Sequence, residues 1–163
     1  DDHGPGHDDH SDGVVYRYTE MKVTREPNVP AHLVKDVPTG ILFVADPASD
    51  RVLWMNTQSG QIDRSLPLIN EQLASHQEMI GLEWGVFADV NLQDPCGIEV
   101  IENVLYVSDN ATGEIIAYDK EAKNELGRIA TGAKSIMGIK ADKNGQLWYV
   151  DAESNTVVRI DQN

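Results

Sequence analysis

The residues best suited to chemistry lie at the start of the chain, in the stretch "DDHGPGHDDHSDG" over residues 1–13. Three histidines stand there among five aspartates: His3, His7 and His10 with Asp1, Asp2, Asp8, Asp9 and Asp12. Imidazole nitrogens suit zinc, copper and nickel, and carboxylates add charge to a site. With a free amine at Asp1, that amine, two amides and the His3 ring would surround Cu(II) or Ni(II) in a plane.

This stretch therefore predicts a divalent transition-metal site formed by Asp1, Asp2, His3, His7 and His10. Calcium fits less well, because the aspartates lack the spacing of an EF-hand loop. The alternative is a flexible solvated tail, since Gly4-Pro5-Gly6 and an acidic run are typical of disordered segments. Both interpretations stay open, and the predicted organisation is a tail over 1–13 followed by a folded domain over 14–163.

The elements that must position any site come from an internal repeat. Three segments align without a gap: "LFVADPASDRVLWMN" from Leu42, "LYVSDNATGEIIAYD" from Leu105 and "LWYVDAESNTVVRID" from Leu147. In each, an apolar run ends in an aspartate, four variable residues follow, and a second β-rich run begins. Two such runs joined by a short polar turn predict a β-hairpin.

The repeat spacing predicts the architecture. Leu105 and Leu147 are 42 residues apart, which is the length of a four-stranded propeller blade. Leu42 and Leu105 are 63 residues apart. We assign the surplus to an insertion over 69–93, whose first half is rich in helix formers and predicts a short helix and loop.

The predicted fold is all-β, with propeller blades of four antiparallel strands. An inner strand precedes each hairpin ("PAHL", "PCGIEV", "SIMGIKA"), and an outer strand follows the first two ("GQIDRSLPL", "LGRIATG"). The third copy stops at residue 163, so we expect the alternating segment 14–23, "VVYRYTEMKV", to supply its outer strand and cover its edge.

This count gives about three blades per chain, which is half or a fragment of a six-bladed propeller. Three blades do not fill a circle, and propellers have four to eight. The predicted partner is therefore another copy of the chain or the remaining blades of a larger propeller. We expect no stable isolated monomer.

The segment "DPCGIEVIENVLYVSDNATGEIIAYD" resembles an NHL-type repeat, with its Pro-x-Gly-Ile, its turn and its Leu-Tyr-Val-x-Asp. The resemblance implies a propeller and says little about activity, because such propellers host lyases, lactonases and binding modules. "VPAHLVKDVPTGILFVAD" resembles the zinc-binding blades of peptidyl-hydroxyglycine lyases. Only His32 carries over as a metal ligand, since Gly97 and Gly138 occupy its position in the other copies. The alternative for His32 is a channel-lining or packed residue.

Several other residues have a predicted role. The repeated Asp46, Asp109 and Asp151 are interpreted as structural acceptors for turn amides. The lone cysteine, Cys96, is interpreted as a buried structural thiol. By resemblance to calcium-dependent lactonases, the channel-facing candidates are Glu99 and Asn110, and His76 is either a surface residue or a ligand at the rim. No Ser–His–Asp set, Gly-rich phosphate loop or Cys-x-x-Cys pair is visible, so we expect neither haem nor a nucleotide.

Charge and hydropathy restrict the partners. A formal net charge of −14 over 163 residues opposes binding to nucleic acid. No run of 18 apolar residues is present, so no membrane-spanning segment is expected. A first residue other than Met predicts a processed extracellular or periplasmic protein, or an excised fragment. The predicted function is a binding module, with a metal-dependent lyase or hydrolase using His32 as the alternative; whether it is an enzyme stays open.

Overall fold

The computed structural model describes residues 13–69 and 73–161, and it is all-β there apart from one 3-10 turn at Pro47–Ser49. The strands are β1 (Gly13–Tyr18), β2 (Leu33–Asp36), β3 (Ile41–Asp46), β4 (Arg51–Asn56), β5 (Gln61–Ser65), β6 (Leu73–Ile80), β7 (Trp84–Ala88), β8 (Pro95–Ile101), β9 (Val104–Asp109), β10 (Glu114–Asp119), β11 (Glu125–Ala130), β12 (Ile136–Ala141), β13 (Leu147–Asp151) and β14 (Thr156–Ile160). They form two compact units, one within residues 13–22 and 59–83 and one within 23–58 and 84–161. No helix in the described ranges has the length and hydropathy of a membrane span.

The larger unit consists of three antiparallel sheets. The first sheet has the order β2-β3-β4-β7, the second β11-β10-β9-β8 and the third β12-β13-β14. The central hairpin of each sheet is one copy of the sequence repeat. The turn of each hairpin has a left-handed residue at the same place, Asp50 (φ 51°), Gly113 (φ 68°) and Asn155 (φ 55°), which are the residue types that adopt this conformation most easily. The predicted hairpins are therefore confirmed.

Apolar side chains pack the three sheets against one another. Between the first and second sheets, Phe43, Val52 and Phe87 contribute to one buried cluster with Leu105 and Val107. A second cluster joins the second and third sheets through six buried side chains: Tyr106, Ile115, Ile136, Ile139, Leu147 and Tyr149. Alternate residues of a strand face opposite sides of a sheet, so the middle sheet contributes to both clusters.

The outer strand of the first sheet differs from the prediction. The segment 61–65, expected in that place, forms β5 of the smaller unit, and β7 pairs with β4 instead. Every residue of β5 is exposed, whereas Phe87 of β7 is 5% exposed within the first core cluster. An outer strand needs an apolar side to bury against the next sheet, and only β7 has one. The insertion predicted over 69–93 therefore contained a strand of the first sheet.

The predicted helix in the insertion is also wrong. Residues 73–80 form β6, which lies between β1 and β5 in a three-stranded sheet. The sequence of β6, "LASHQEMI", favours a helix by intrinsic propensity, but hydrogen bonding to two neighbouring strands outweighs that weak preference.

The N-terminal strand does not complete the third sheet. β1 pairs in parallel with β6, for example Val15 with His76 and Tyr18 with Met79. Within the described residues β14 pairs only with β13, so the third sheet has three strands. The prediction that segment 14–23 closes the last blade is wrong, because the free edge of β6 takes up that strand instead.

Candidate functional site

The three repeated aspartates are structural acceptors, as predicted, but the donor common to all three copies is not the predicted turn amide. Each carboxylate accepts a backbone N–H from a residue that precedes the first strand of the same sheet. These bonds run from Thr24 to Asp46 (2.6 Å), from Gln93 to Asp109 (2.6 Å) and from Ser135 to Asp151 (3.2 Å). All three carboxylates are buried, and a buried charge needs such partners. Each aspartate therefore ties the entry of its sheet to the hairpin turn.

Low pH should weaken the hydrogen bonds and the ion pair that the Asp46 carboxylate forms. Burial alone would raise the pKa of the Asp46 carboxyl, but hydrogen bonds from Thr24 and Arg51 outweigh burial and hold that pKa below 3.8. A carboxyl group whose pKa is lower in the folded state than in the unfolded state stabilises the fold at every pH above its unfolded-state pKa. This stabilisation is lost as the pH falls from the unfolded-state pKa towards the folded-state pKa. We expect the urea concentration at the midpoint of unfolding to decrease as the pH is lowered below about 4.

The measurement is urea unfolding at pH 7, 5, 4 and 3, with Asp46→Asn as the comparison. The variant should be less stable at pH 7 and should lose less stability between pH 5 and pH 3, because residue 46 no longer titrates. Parallel pH profiles for the two proteins would contradict the assignment.

His32 lies at the entry of the first sheet, where the prediction put it. Its side chain is exposed, and its backbone N–H donates to the carbonyl of Cys96 (3.2 Å). The His32 ring borders Gly138, where an added β-carbon would stand 3.1 Å from ring atom Cε1. An added β-carbon on Gly97 would lie 2.9 Å from the Gly138 Cα. The structure thus brings the three equivalent positions of the repeat together.

The other candidates have structural partners. Glu99 accepts the backbone N–H of Ala141 (3.2 Å) and forms an ion pair with Lys140 (2.6 Å). Asn110 donates its side-chain amide to the carbonyl of Ile136 (2.9 Å). Both residues connect the second sheet to the third.

Cys96 and His76 are both buried. The Cys96 thiol donates to the carbonyl of Ile136 (2.9 Å), and burial raises its pKa, so the prediction of a structural thiol is confirmed. His76, on β6, is 5% exposed, and its Nδ1 lies 2.8 Å from the carbonyl oxygen of Pro67. Of the two predictions for His76, the surface residue is wrong, because the hydrogen-bonded ring is buried in the smaller unit, and the ligand role stays a prediction.

The predicted metal ligands of the tail, Asp1, Asp2, His3, His7 and His10, lie outside the described residues. Within residues 13–69 and 73–161, no group of three or more His, Cys, Asp or Glu side chains is arranged to hold a metal ion. The tail site therefore stays a prediction.

Sequence reasoning missed a groove between the first and second sheets, which we call the aromatic groove. It comprises a cavity of about 340 Å³, lined in part by Phe87, Tyr118 and Lys123, and a cavity of about 170 Å³, lined in part by Phe43, Trp54, Phe87 and Lys123. The two cavities share Phe87 and Lys123. Phe87 packs edge-to-face on Phe43 (centroids 5.1 Å apart) and on Tyr118 (5.8 Å).

The polar groups of the aromatic groove differ in whether they have an ion-pair or hydrogen-bond partner. Lys120 forms a 2.8 Å ion pair with the buried Asp36, whereas the Lys123 ammonium stands 5.0 Å from the centroid of the Trp54 ring. The Tyr118 hydroxyl is buried and has no hydrogen-bond partner among the described residues. The signal in the sequence for this groove is the apolar, β-prone segment "WGVFA" of β7, which lies within the insertion predicted over 69–93.

Comparisons with known proteins agree with the repeat. No protein-family model matches the chain. The chain is 27% identical over 144 residues to NHL repeat-containing protein 2 of Bos taurus, an alignment that covers 78% of this chain and 20% of that relative. The chain therefore spans about a fifth of the relative's length.

Together with the stacked antiparallel sheets, this similarity supports the class of protein that the motifs suggested. The findings are consistent with a fragment of an NHL-type β-propeller.

Proposed function

We propose that this chain is an NHL-type propeller module for protein interaction, and that the free face of its third sheet docks a further sheet of the same repeat type. The observation that carries the proposal is a difference in burial between equivalent positions of the three copies. The first such position follows the leading Leu of the repeat and is aromatic in every copy. Phe43 is 4% exposed and Tyr106 is 8% exposed, each in a cluster with the next sheet, whereas Trp148 is only half-buried.

Two further positions behave in the same way. Val52 and Ile115 are fully buried, and the equivalent Val157 is 68% exposed. Ala45 is fully buried, and the equivalent Val150 is 42% exposed. The face that the first two sheets present to their successors is thus open on the third.

This open face has the form of a docking surface. A cavity of about 240 Å³ lies on it, lined in part by Gly138, Trp148, Val150 and Val157. Contiguous apolar surface of this kind marks an interaction site. A sheet of the same repeat is the occupant that fits, because the equivalent faces of the other two sheets already pack against one.

For the chain on its own, a second copy is the partner that supplies such a sheet. The net charge of −14 opposes association, but surface charges are screened over about 8 Å at physiological salt. Burial of apolar area contributes about 25 cal/mol per Å² before the entropy of association is subtracted. We therefore expect burial to outweigh repulsion.

Val157→Asp should abolish self-association, because the new carboxylate would be buried unpaired in the docked state. Val37→Asp is the matched control, since Val37 is 78% exposed in the turn between β2 and β3. Light scattering at low micromolar concentration should give assemblies for the wild type and the control and a monomer for Val157→Asp. A folded wild-type monomer, with a melt that does not depend on concentration, would overturn the proposal.

The finer parts of the functional hypothesis rest on the sequence. These are the binding of copper, nickel or zinc by residues 1–10 and an extracellular or periplasmic location. The alternative, a metal-dependent lyase or hydrolase, rests on the position of His32 at the entry of the first sheet.

A further inference from the structure

We propose that the aromatic groove is a binding site for a small apolar carboxylate, with Tyr118 and Lys123 holding the carboxylate and the cavity beside Phe43 and Trp54 holding the hydrocarbon. This site belongs to the first and second sheets and does not depend on docking at the third. The larger cavity, of about 340 Å³, falls in the size range of small-ligand pockets, and the cavity of about 170 Å³ adjoins it through the shared Phe87 and Lys123.

The Tyr118 hydroxyl is the first argument. Tyr118 is 4% exposed, lines the larger cavity and has no partner for its hydroxyl among the described residues. Buried polar side chains are nearly always satisfied, as Asp36 is by the Thr39 hydroxyl at 2.7 Å. Burial raises the pKa of Tyr118 to about 12, so the group stays protonated at neutral pH and can donate. An oxygen atom of a bound ligand would supply the missing acceptor for the Tyr118 hydroxyl.

The charge on Lys123 is the second argument. Within the described part of the chain, no carboxylate lies within ion-pair distance of the Lys123 ammonium, whereas Lys120 is neutralised by Asp36. The wall carries two acidic residues. Glu125 is paired with Arg128 at 2.8 Å, and Asp89 is exposed, where solvent screens its charge. Lys123 is thus the cation available to an anionic ligand.

The walls provide the third argument. Ile41, Phe43, Trp54 and Phe87 line the smaller cavity, and Lys123 borders both cavities. A ligand that places its hydrocarbon among these rings can therefore hold its charged end at the junction. A charge-assisted hydrogen bond there is about twice as strong as a neutral one, so the acid should bind better than its amide.

The probe is 3-phenylpropionate, with 3-phenylpropionamide as the uncharged comparison, measured by titration calorimetry on the full chain. The wild type should bind the acid saturably and at least about tenfold more tightly than the amide. Tyr118→Phe and Lys123→Gln should each weaken binding of the acid about tenfold. Two matched controls, Tyr149→Phe (a buried tyrosine of the third sheet) and Lys143→Gln (an exposed lysine of the β12–β13 turn), should bind like the wild type.

Thermal melts of the same variants separate binding from folding. Tyr118→Phe removes a hydroxyl that has no partner, so its melting temperature should equal or exceed that of the wild type while its affinity falls. Three results would overturn the proposal: no saturable binding of the acid up to millimolar concentration, equal binding of acid and amide, or wild-type affinity in Tyr118→Phe. None of them bears on docking by the third sheet, which light scattering tests separately.

Discussion

Replacing Gly97 with alanine is expected to prevent folding or to lower the free energy of unfolding by about 3 kcal/mol or more. Gly97 lies within β8, and an added β-carbon would meet the Ser108 hydroxyl at 2.5 Å, the backbone nitrogen of Ile139 at 2.7 Å and the Cα of Gly138 at 2.9 Å. Two of these three atoms are backbone and cannot rotate away. Relief would require the second and third sheets to separate, and that would open the core cluster between them.

Gly127→Ala is the matched control for this prediction. Gly127 also lies within a strand of the second sheet, β11, and an added β-carbon would meet no atom within 4 Å. Its effect should stay within about 0.5 kcal/mol. Urea unfolding followed by tryptophan fluorescence measures both variants. If Gly97→Ala were as stable as Gly127→Ala, the close approach of the two sheets would be wrong.

The same geometry explains the residue types at the three equivalent positions. Gly97 and Gly138 are glycines where the first strands of the second and third sheets approach each other, whereas His32 has an exposed side chain at the corresponding place in the first sheet. Glycine is required at Gly97, where an added β-carbon would meet backbone atoms of the third sheet, whereas the atoms nearest to an added β-carbon on Gly138 would be those of the His32 ring. The histidine is compatible with the fold and with a ligand role at His32, which the metal content of the protein would test.

Replacing Lys120 with methionine should lower the free energy of unfolding by about 3 kcal/mol, because it leaves the buried carboxylate of Asp36 without its cation. Asp36 is 5% exposed on β2, Lys120 follows β10, and the 2.8 Å ion pair connects the first sheet to the second. Burial alone would raise the pKa of Asp36. Hydrogen bonds from Lys120 and Thr39 outweigh burial and lower that pKa, so the carboxylate is ionised at pH 7.

A double-mutant cycle measures this interaction. Asp36→Asn combined with Lys120→Met should recover most of the loss, since no unpaired charge then remains buried. Lys143→Met, at an exposed lysine, is the control and should change stability by less than about 0.5 kcal/mol. Additive losses in the double variant would show that the two residues do not stabilise the fold as a pair.

The parts of the fold that depend on neighbouring residues can be predicted from the sequence. Alternating apolar residues and a turn with Asp50, Gly113 or Asn155 at one place predict each central hairpin, because strand pairing across a short turn is local. The structural role of the aspartates at the ends of β3, β9 and β13 was also predicted, but the donor common to the three copies precedes the first strand of the sheet and is not the expected turn amide. The similarity to NHL repeats has the same local origin.

The pairing of strands that are far apart in the sequence depends on tertiary packing, which the sequence pattern does not predict. The segments 61–65 and 84–88 both have strand character, and the choice between them depends on whether an apolar side chain such as Phe87 can be buried against the second sheet. β1 joined β6 for a similar non-local reason, the free edge that β6 offered. The aromatic groove follows from that choice, because Phe87 and Tyr118 come together only after β7 has joined β4. Contacts of this kind depend on the summed burial of distant residues, which local periodicity does not encode.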